Sequence, residues 1–187
     1  MPNWTYNRIT ITGKKENLKK FMGDAKMYDG KLYLSSWMPT PETYCKYDTT
    51  NHPYGEGLVV GEELFTGLLD LNGTIITEEL IEEYKQATKE QKEKYGAVGW
   101  YDYNQMTFGC KWDCEVEVES ETDEEIILTT DSPWNAPDNW LIKLSEKYTE
   151  LRFKNLANYE EGFWEETEYC VGRECALDCG EFEDEYD

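Results

Sequence analysis

The first thirty residues change from a repeat of two to a helical repeat. In "NWTYNRITITG", Ile9 and Ile11 alternate with Tyr6, Arg8 and Thr10, which predicts a strand that ends at Gly13. The next segment has apolar residues at helical spacing and predicts an amphipathic helix that closes near residue 30. The apolar residues of this helix are Leu18, Phe21, Met22 and Ala25. "KLYLSSW" then predicts a short strand.

The middle of the chain loses this regularity and regains it as a helix. From residue 38 to about 61, Pro, Thr, Tyr and Gly predominate, and we predict a long loop. "TEELIEEYKQATKEQKEKYG" predicts a surface helix that begins at Thr77 and ends at Gly96. Its apolar stripe consists of Leu80, Ile81, Tyr84 and Ala87.

Strands and one helix are predicted in the second half. "KWDCEVEVES" alternates between apolar and acidic residues, "ETDE" predicts a tight turn, and the apolar "EIILTT" is typical of a strand in the middle of a sheet. "SPWNAPDNWLIKLSEKYTE" starts with turn residues and becomes a helix whose inward side chains are Trp140, Leu141, Leu144 and Tyr148. "LRFKNLANYE" predicts a further strand, which "GFWEETEYCVG" follows.

The order of these elements predicts an α+β fold. Two strand–helix–strand halves usually close into a four-stranded antiparallel sheet with both helices on one face, the ferredoxin-like arrangement. We therefore predict a single ferredoxin-like domain over residues 1–187. It has a helical and loop insertion at about 38–100, after the first βα unit, and an acidic C-terminal segment at about 160–187. In this arrangement the "CEVEVES" strand is an edge of the sheet.

The strand predicted from Lys111 onwards carries a column of carboxylates. Because successive side chains on a strand point to opposite faces, Trp112, Cys114, Val116 and Val118 form one set. The opposite set consists of Asp113, Glu115, Glu117, Glu119 and Glu121. Adjacent strands normally supply cations to such a column, but the predicted neighbour "EIILTT" has none. The available cations, Arg8, Arg152 and Lys154, are predicted to lie two and three strands away.

Two interpretations of this acidic column remain open. Charge along a sheet edge protects against edge-to-edge aggregation, so the column has a purely structural explanation. Alternatively, it binds a basic partner. Every second carboxylate on a strand lies roughly 6.7 Å from the next, a spacing similar to that of phosphates along an extended nucleic-acid strand.

Composition and charge favour a basic partner. The chain of 187 residues has 40 acidic and 18 basic residues, a formal net charge of −22. Residues 1–31 contain seven Lys or Arg and three acids, whereas residues 160–187 contain twelve acids and one Arg. This excess argues against binding of nucleic acid or of an anionic membrane through bulk electrostatics. The segment 160–187 is predicted as a solvated acidic tail, with its aromatic residues leaving room for a docked strand.

The N-terminus and the cysteines indicate the compartment. "MPNWTYNRITITG" lacks the basic start and the apolar run of a signal peptide, and no stretch reaches transmembrane length. We therefore expect a protein of the bacterial cytoplasm, and we expect its six cysteines to be thiols rather than disulfides.

Candidate chemistry is sparse, and we predict a binding protein without cofactors rather than an enzyme. His52, the only histidine, lies in the Gly/Pro-rich "TTNHPYGEG", and any histidine-dependent mechanism would need it. The spacing of Cys110, Cys114, Cys170, Cys175 and Cys179 is compatible with a zinc site, but no Cys-x-x-Cys occurs. The even spacing of the first two predicts instead that both face the core.

Aromatic residues offer a further possibility, stacking of bases on an open sheet. The candidates are Trp100, Tyr101, Tyr103, Trp112, Trp134, Trp140 and Trp164. Most of them are expected in the core or covering the inserted loop, and base stacking would need basic residues that only the N-terminal region offers.

Four segments resemble one known family. "MPNW…NRITITG", "WYDYNQMTFGCKWD", "TTDSPWNAPDNWLIKLSEKYTELRF" and "YEEGFWEE" look like the YubB ferredoxin-like domain family, outside residues 40–95 and the acidic tail. The chain departs from the family pattern at Cys110, where a small residue or Thr is common, and at Asp131, where an aromatic is common. The resemblance implies a ferredoxin-like fold and an origin on phages or conjugative plasmids, without a reaction.

These observations lead to two functional hypotheses and a third, structural one. In the first, a mobile-element protein inhibits a host nucleic-acid-targeting defence system, of the CRISPR or restriction type, by stoichiometric binding. Its acidic column would occupy the basic groove of a nuclease or CRISPR effector. In the second, the chain binds or processes RNA through Tyr6, Arg8 and the lysines of the first helix, with His52 as acid or base. Those lysines are Lys14, Lys15, Lys19 and Lys20. In the third, the chain is a structural mobile-element protein.

Overall fold

The computed structural model describes residues 3–41 and 100–181 and, between them, residues 82, 86, 89, 90 and 92–97. Its strands are β1 (Trp4–Thr12), β2 (Leu32–Tyr33), β3 (Glu115–Glu121), β4 (Glu125–Pro133), β5 (Arg152–Tyr159), β6 (Phe163–Cys170) and β7 (Arg173–Glu181). Its helices are α1 (Lys15–Gly23), α2 (Trp100–Phe108) and α3 (Asp138–Lys147), with a 3₁₀ turn at Leu34–Ser36.

The strands form one antiparallel sheet of seven, in the order β2-β3-β4-β1-β5-β6-β7. The prediction of an α+β ferredoxin-like fold, a four-stranded sheet with the helices on one face, is therefore wrong. Over the described residues the chain is a sheet-rich fold with few helices, in which β2 extends one side of the sheet and the β6–β7 hairpin extends the other. β3 is also not an edge along its whole length, because Leu32 pairs with Val116 and Tyr33 with Glu115. The prediction that "EIILTT" lies inside the sheet is confirmed, since β4 pairs with β3 and β1.

The inner face of the sheet carries the hydrophobic core. Ile9 and Ile11 of β1 are fully buried, as their alternation predicts, and Phe153 of β5 lies in the same cluster. Burial of an aliphatic or aromatic side chain of this size stabilises the fold by about 1.5–3 kcal/mol. The core therefore fixes which face of each strand points inward, and so which residues form the opposite, outer face.

Both α1 and α3 contribute their predicted apolar stripes to this core. The ring of Phe21 in α1 stacks on that of Trp37, with 5.0 Å between the ring centroids, and meets the ring of Tyr148 edge-on, with 5.2 Å between the centroids. Trp140 of α3 is fully buried and donates its indole N–H to the carbonyl of Leu34 at 3.0 Å. The indole therefore buries its ring without leaving its one donor unsatisfied.

The end of the inner face nearest the N-terminus of β1 is polar and hydrogen-bonded. The Asn7 amide donates to the carbonyl of Thr130 at 3.1 Å and to the hydroxyl of Ser132 at 2.8 Å. Asn7 also accepts a hydrogen bond from the Asn155 amide at 3.0 Å. Because buried polar groups are costly unless paired, this network specifies the register of β1 between β4 and β5.

The acidic C-terminal segment contains two strands, β6 and β7, and residues 182–187 lie outside the described residues. β6 and β7 form a hairpin, and a disulfide between Cys170 and Cys175 closes its turn. Two expectations are therefore wrong, the solvated tail over residues 173–181 and thiols at these two cysteines. Every β7 side chain from Arg173 to Cys179 is exposed, so this strand has no apolar alternation by which a sequence pattern could reveal it.

The chain divides into two compact units, residues 1–39 with 104–187, and residues 40–103. Most of the predicted insertion at about 38–100 lies outside the described residues, including the loop, the helix cap at Thr77 and its apolar stripe. In the second unit, residues 92–95 are helical, and Gly96 ends this segment at a φ of 77°. The prediction of a helix that ends at Gly96 is confirmed for this described portion. No helix among the described residues is both long and apolar enough to cross a membrane.

Candidate functional site

The predicted acidic column is only partly a strand. β3 begins at Glu115, so Asp113 lies before it, where its carboxylate accepts the backbone N–H of Ser35 at 2.9 Å. Trp112, assigned by alternation to the core, is 37% exposed. The prediction that Cys110 and Cys114 face the core is confirmed by their burial. The alternation in the sequence thus begins three residues before the strand itself.

Glu119 is bound by a cation of the chain itself. Arg8 Nε and Nη2 donate to its two carboxylate oxygens, each at 2.9 Å. β1 does lie two strands from β3, as predicted, but a bulge between Val118 and Ser120 displaces Glu119, and the long Arg8 side chain reaches across β4. The hydrogen bond from Arg8 lowers the pKa of Glu119. The premise that the column has no internal cation is therefore wrong at this position.

A second cation, Lys31, forms an ion pair with Glu115, in which Lys31 Nζ lies 2.7 Å from Glu115 Oε2. Glu117, between these two pairs, has no ion pair with any residue in the described part of the chain. Its charge contributes to raising the pKa of Asp131 on β4, an effect whose larger cause is desolvation of Asp131. Glu117 and Asp131 therefore form a local negative cluster in which neither carboxylate has an ion pair with a described residue.

The outer face of the sheet extends this negative surface. Residues paired across strands share a face, so the register places Glu117, Thr129, Arg8, Leu156, Glu166 and Asp178 in one row. Lys154 binds Glu166 at 2.6 Å and neutralises it. Within the described residues, the strand carboxylates of this face without an ion pair are Glu117, Glu125, Asp131, Glu168 and Asp178. We call these five the outer-face carboxylates.

Aromatic side chains accompany the outer-face carboxylates. Tyr6 is 47% exposed beside Asp131, and the charges of Glu160 and Asp131 add to desolvation in raising its pKa. Trp164 of β6 covers Gly180 so closely that a Cβ there would lie 2.9 Å from the indole. The outer face therefore combines negative charge with aromatic surface.

Three further tryptophans cluster at the end of the sheet where β1 begins. The Trp112 ring centroid lies 6.0 Å from that of Trp4 and 6.0 Å from that of Trp134. Lys111 Nζ lies 5.4 Å from the Trp112 centroid and 5.9 Å from that of Trp134. Of the candidate stacking residues, Trp112 and Trp134 are therefore accessible, whereas the burial of Trp140 excludes it as a platform.

The remaining candidates are dispersed. Cys170 and Cys175 are bonded to each other while Cys179 is exposed, and the described residues contain no group of three or more potential metal ligands. His52 lies outside the described residues. On α1, Lys15 pairs with Asp123 at 2.6 Å. The other lysines of the RNA-binding hypothesis, Lys14, Lys19 and Lys20, are exposed.

Sequence reasoning missed the contribution of the strands beyond β3. Asp131, Glu168 and Asp178 join the outer face only once the strand order and register are known. The available signal was the alternation in "EETEYC", which places Glu166 and Glu168 opposite the buried Thr167 and Tyr169. The acidic surface is thus a property of the sheet rather than of a single strand.

These features define a class of protein, an open seven-stranded antiparallel sheet with an apolar inner face and an acidic outer face. No family model matches the chain, and no curated protein matches it. A solved structure, the crystal structure of protein api92 from Yersinia pseudotuberculosis with the family-model description DUF1281, is similar over 100% of both chains at 11% identity and a TM-score of 0.42. A similarity at this level carries no argument about fold or function.

Proposed function

We propose that the chain is a stoichiometric binding protein whose acidic outer face docks on a basic protein partner. The observation that carries this proposal is the set of outer-face carboxylates, none of which forms an ion pair within the described residues. A surface of one sign attracts a partner of the other sign, accelerates their encounter and disfavours binding of nucleic acid.

The glutamates already held by Arg8 and Lys31 remain available to such a partner. Both ion pairs are exposed, with side-chain exposures of 46% and 44% for Arg8 and Glu119. Ion pairs at such exposure contribute little to folding, so a partner cation can replace an internal one at little cost. Of the predicted partner-binding residues, Glu115, Glu117 and Glu119 therefore stay in the proposal, joined by Asp131, Glu168 and Asp178. Asp113 lies before β3 and accepts the Ser35 N–H, and Glu121, beyond the bulge, pairs with the buried Ile126 and so shares the inner face.

The partner class we propose is a host nuclease or CRISPR effector, with the chain acting as a mobile-element inhibitor of CRISPR or restriction defence. The support for this finer proposal is the resemblance of four sequence segments to the YubB family, together with the excess of acidic residues. A nucleic-acid-binding groove presents Arg and Lys at phosphate spacing, and a rigid acidic sheet matches such a groove. The basic α1 helix keeps RNA binding as the alternative.

The test compares two triple charge reversals in an inhibition assay against a panel of purified CRISPR effectors and restriction nucleases. The first variant changes Glu117, Asp131 and Glu168 to Lys on the outer face. The matched control makes the same change in net charge away from that face, at Glu16, Glu146 and Glu150. We expect the first to abolish inhibition and complex formation on gel filtration, and the control to retain both.

Two results would contradict the proposal. An equal loss of inhibition in both variants would show that inhibition depends on the net charge of the protein rather than on the outer face. Inhibition that survives the outer-face reversal would show that the partner binds elsewhere. An RNA gel-shift with the wild type at low salt decides the alternative, since binding lost on Lys14→Glu and Lys19→Glu substitution would favour RNA.

A further inference from the structure

A pocket distinct from the outer face lies where α3 begins, beside the turn between β5 and β6. Its volume is about 410 Å³, within the range of sites that take small molecules or single side chains. Its walls combine aromatic rings and carboxylates: Trp134, Tyr159 and Phe163 with Asp138, Glu161 and Glu165. The rest of its lining consists of Gly109, Asn135, Ala136 and Asn139.

Each of the three carboxylates is held in place by a neutral donor. Tyr169 donates its hydroxyl to Asp138 Oδ1, and Tyr159 donates to Glu165 Oε2 at 2.8 Å. The Asn3 amide donates to Glu161 Oε1. One oxygen of each carboxylate is thus fixed by a group without charge, which orients the carboxylate and leaves its negative charge in place.

Negative charge in the pocket is not neutralised within the described part of the chain, where no Lys or Arg forms an ion pair with any of the three carboxylates. The pKa of Asp138 is raised by burial and further raised by the charges of Glu174 and Glu165, against the opposing hydrogen bond from Tyr169. A carboxyl group whose pKa is raised by neighbouring negative charges gains from a cation placed beside it.

The aromatic walls suit an organic cation. Tyr159 and Phe163 stack with centroids 4.2 Å apart and planes inclined by 13°. Trp134 is 46% exposed and already accepts one cation on its ring, Lys111. Trp134 also has a φ of 67°, which is a costly backbone conformation for a bulky residue. A hydrogen bond from its backbone N–H to the carbonyl of Asn3, at 2.8 Å, stabilises this conformation.

We propose that this pocket binds the guanidinium group of an arginine side chain in a polypeptide. A planar guanidinium bonds to two carboxylates at once and stacks on aromatic faces, which a compact ammonium does less well. A metal ion fits less well, because these carboxylates do not converge into a group of three metal ligands within the described residues. The proposal concerns a different surface from the outer-face carboxylates.

The test uses the full chain and three capped amino acids, N-acetyl-arginine methylamide and its citrulline and lysine counterparts. Citrulline keeps the shape of arginine without its charge. We expect the arginine probe to bind with a dissociation constant on the order of 1 mM, with amide shifts in the NMR spectrum at Gly109 and Asn139. Citrulline should not bind, and lysine should bind more weakly than arginine.

The variants are Glu165→Gln and Asp138→Asn, with Glu168→Gln as the control. Each removes one charge, but Glu168 lies on the outer face, away from the pocket. Since charge-assisted hydrogen bonds are about twice as strong as neutral ones, we expect each pocket variant to weaken arginine binding about tenfold or more. The control should leave it unchanged, and thermal melts should show that all three variants are folded.

Binding of citrulline, tighter binding of lysine than of arginine, or equal weakening by Glu168→Gln would each overturn the proposal. An absence of arginine binding would also overturn it, while partner inhibition that responds to the outer-face reversal would still support the proposed function. The two proposals can therefore fail separately.

Discussion

Gly109 offers the sharpest test of how the pocket is built. Its φ is 84°, and a Cβ on it would lie 3.2 Å from the backbone nitrogens of both Asp138 and Asn139. Gly109→Ala therefore adds two costs, a left-handed backbone conformation for an L residue and crowding against the start of α3. The first costs about 1–2 kcal/mol, and overpacking typically costs about 1–3 kcal/mol.

Two other glycines separate these costs. Gly30 has a φ of 79°, and a Cβ on it would meet nothing within 4 Å, so Gly30→Ala measures the conformational cost alone. Gly23, at the end of α1, also has open space and no positive φ. Gly23→Ala should therefore stabilise the protein by up to about 1 kcal/mol, through helix propensity.

The assay is urea denaturation of the three variants at 25 °C, with the m-value checked for constancy. We expect Gly23→Ala to be the most stable variant and Gly109→Ala the least, about 2–5 kcal/mol below the wild type. If Gly109→Ala lowered the free energy of unfolding by no more than Gly30→Ala, the close approach between Gly109 and the start of α3 would be refuted. The part of the pocket lining that Gly109 forms would then be refuted as well.

Three further predictions follow from individual contacts. Asp138→Asn should stabilise the fold at pH 7, because the raised pKa of Asp138 means that its ionised form is disfavoured in the folded state. The gain in unfolding free energy, measured by urea denaturation, should vanish below the ordinary Asp pKa of about 3.9, where the carboxyl group is protonated in both states. Cys175→Ser should open the disulfide to Cys170 and lower stability by up to about 2 kcal/mol, and a reductant should then have no further effect on the melt. Arg8→Gln should raise the pKa of its glutamate partner, which carboxyl NMR titration measures, while the melting temperature changes little.

Much of the core was predictable because it depends on local periodicity. The alternation of Ile9 and Ile11 and the stripe from Trp140 to Leu144 each identify one buried face, and the structure confirms both. These patterns arise where one side of an element faces the core and the other faces water. They specify elements and faces, but not how many strands join the sheet.

The errors arose where burial does not impose a pattern. β7 is exposed on both faces, so "RECALDCGE" has no alternation, and the sheet was predicted with too few strands. The ion pair between Arg8 and Glu119 depends on a bulge and on a side chain that crosses β4, neither of which a sequence spacing reveals. The pocket combines residues from three segments, Gly109, residues 134–139 and residues 159–165, that only tertiary structure brings together.

Asp138 connects stability with the proposed arginine pocket. An asparagine there could accept the same hydrogen bond from Tyr169 and would avoid the cost of desolvating a charge near Glu165 and Glu174. A carboxylate at this position is therefore unfavourable for folding alone, and sites that sacrifice stability in this way are commonly binding or catalytic. If Asp138→Asn both stabilises the chain and loses arginine binding, the charge serves recognition. If it stabilises the chain and arginine still binds equally well, the Asp138 carboxylate has no role in the pocket, and the other walls hold the guanidinium.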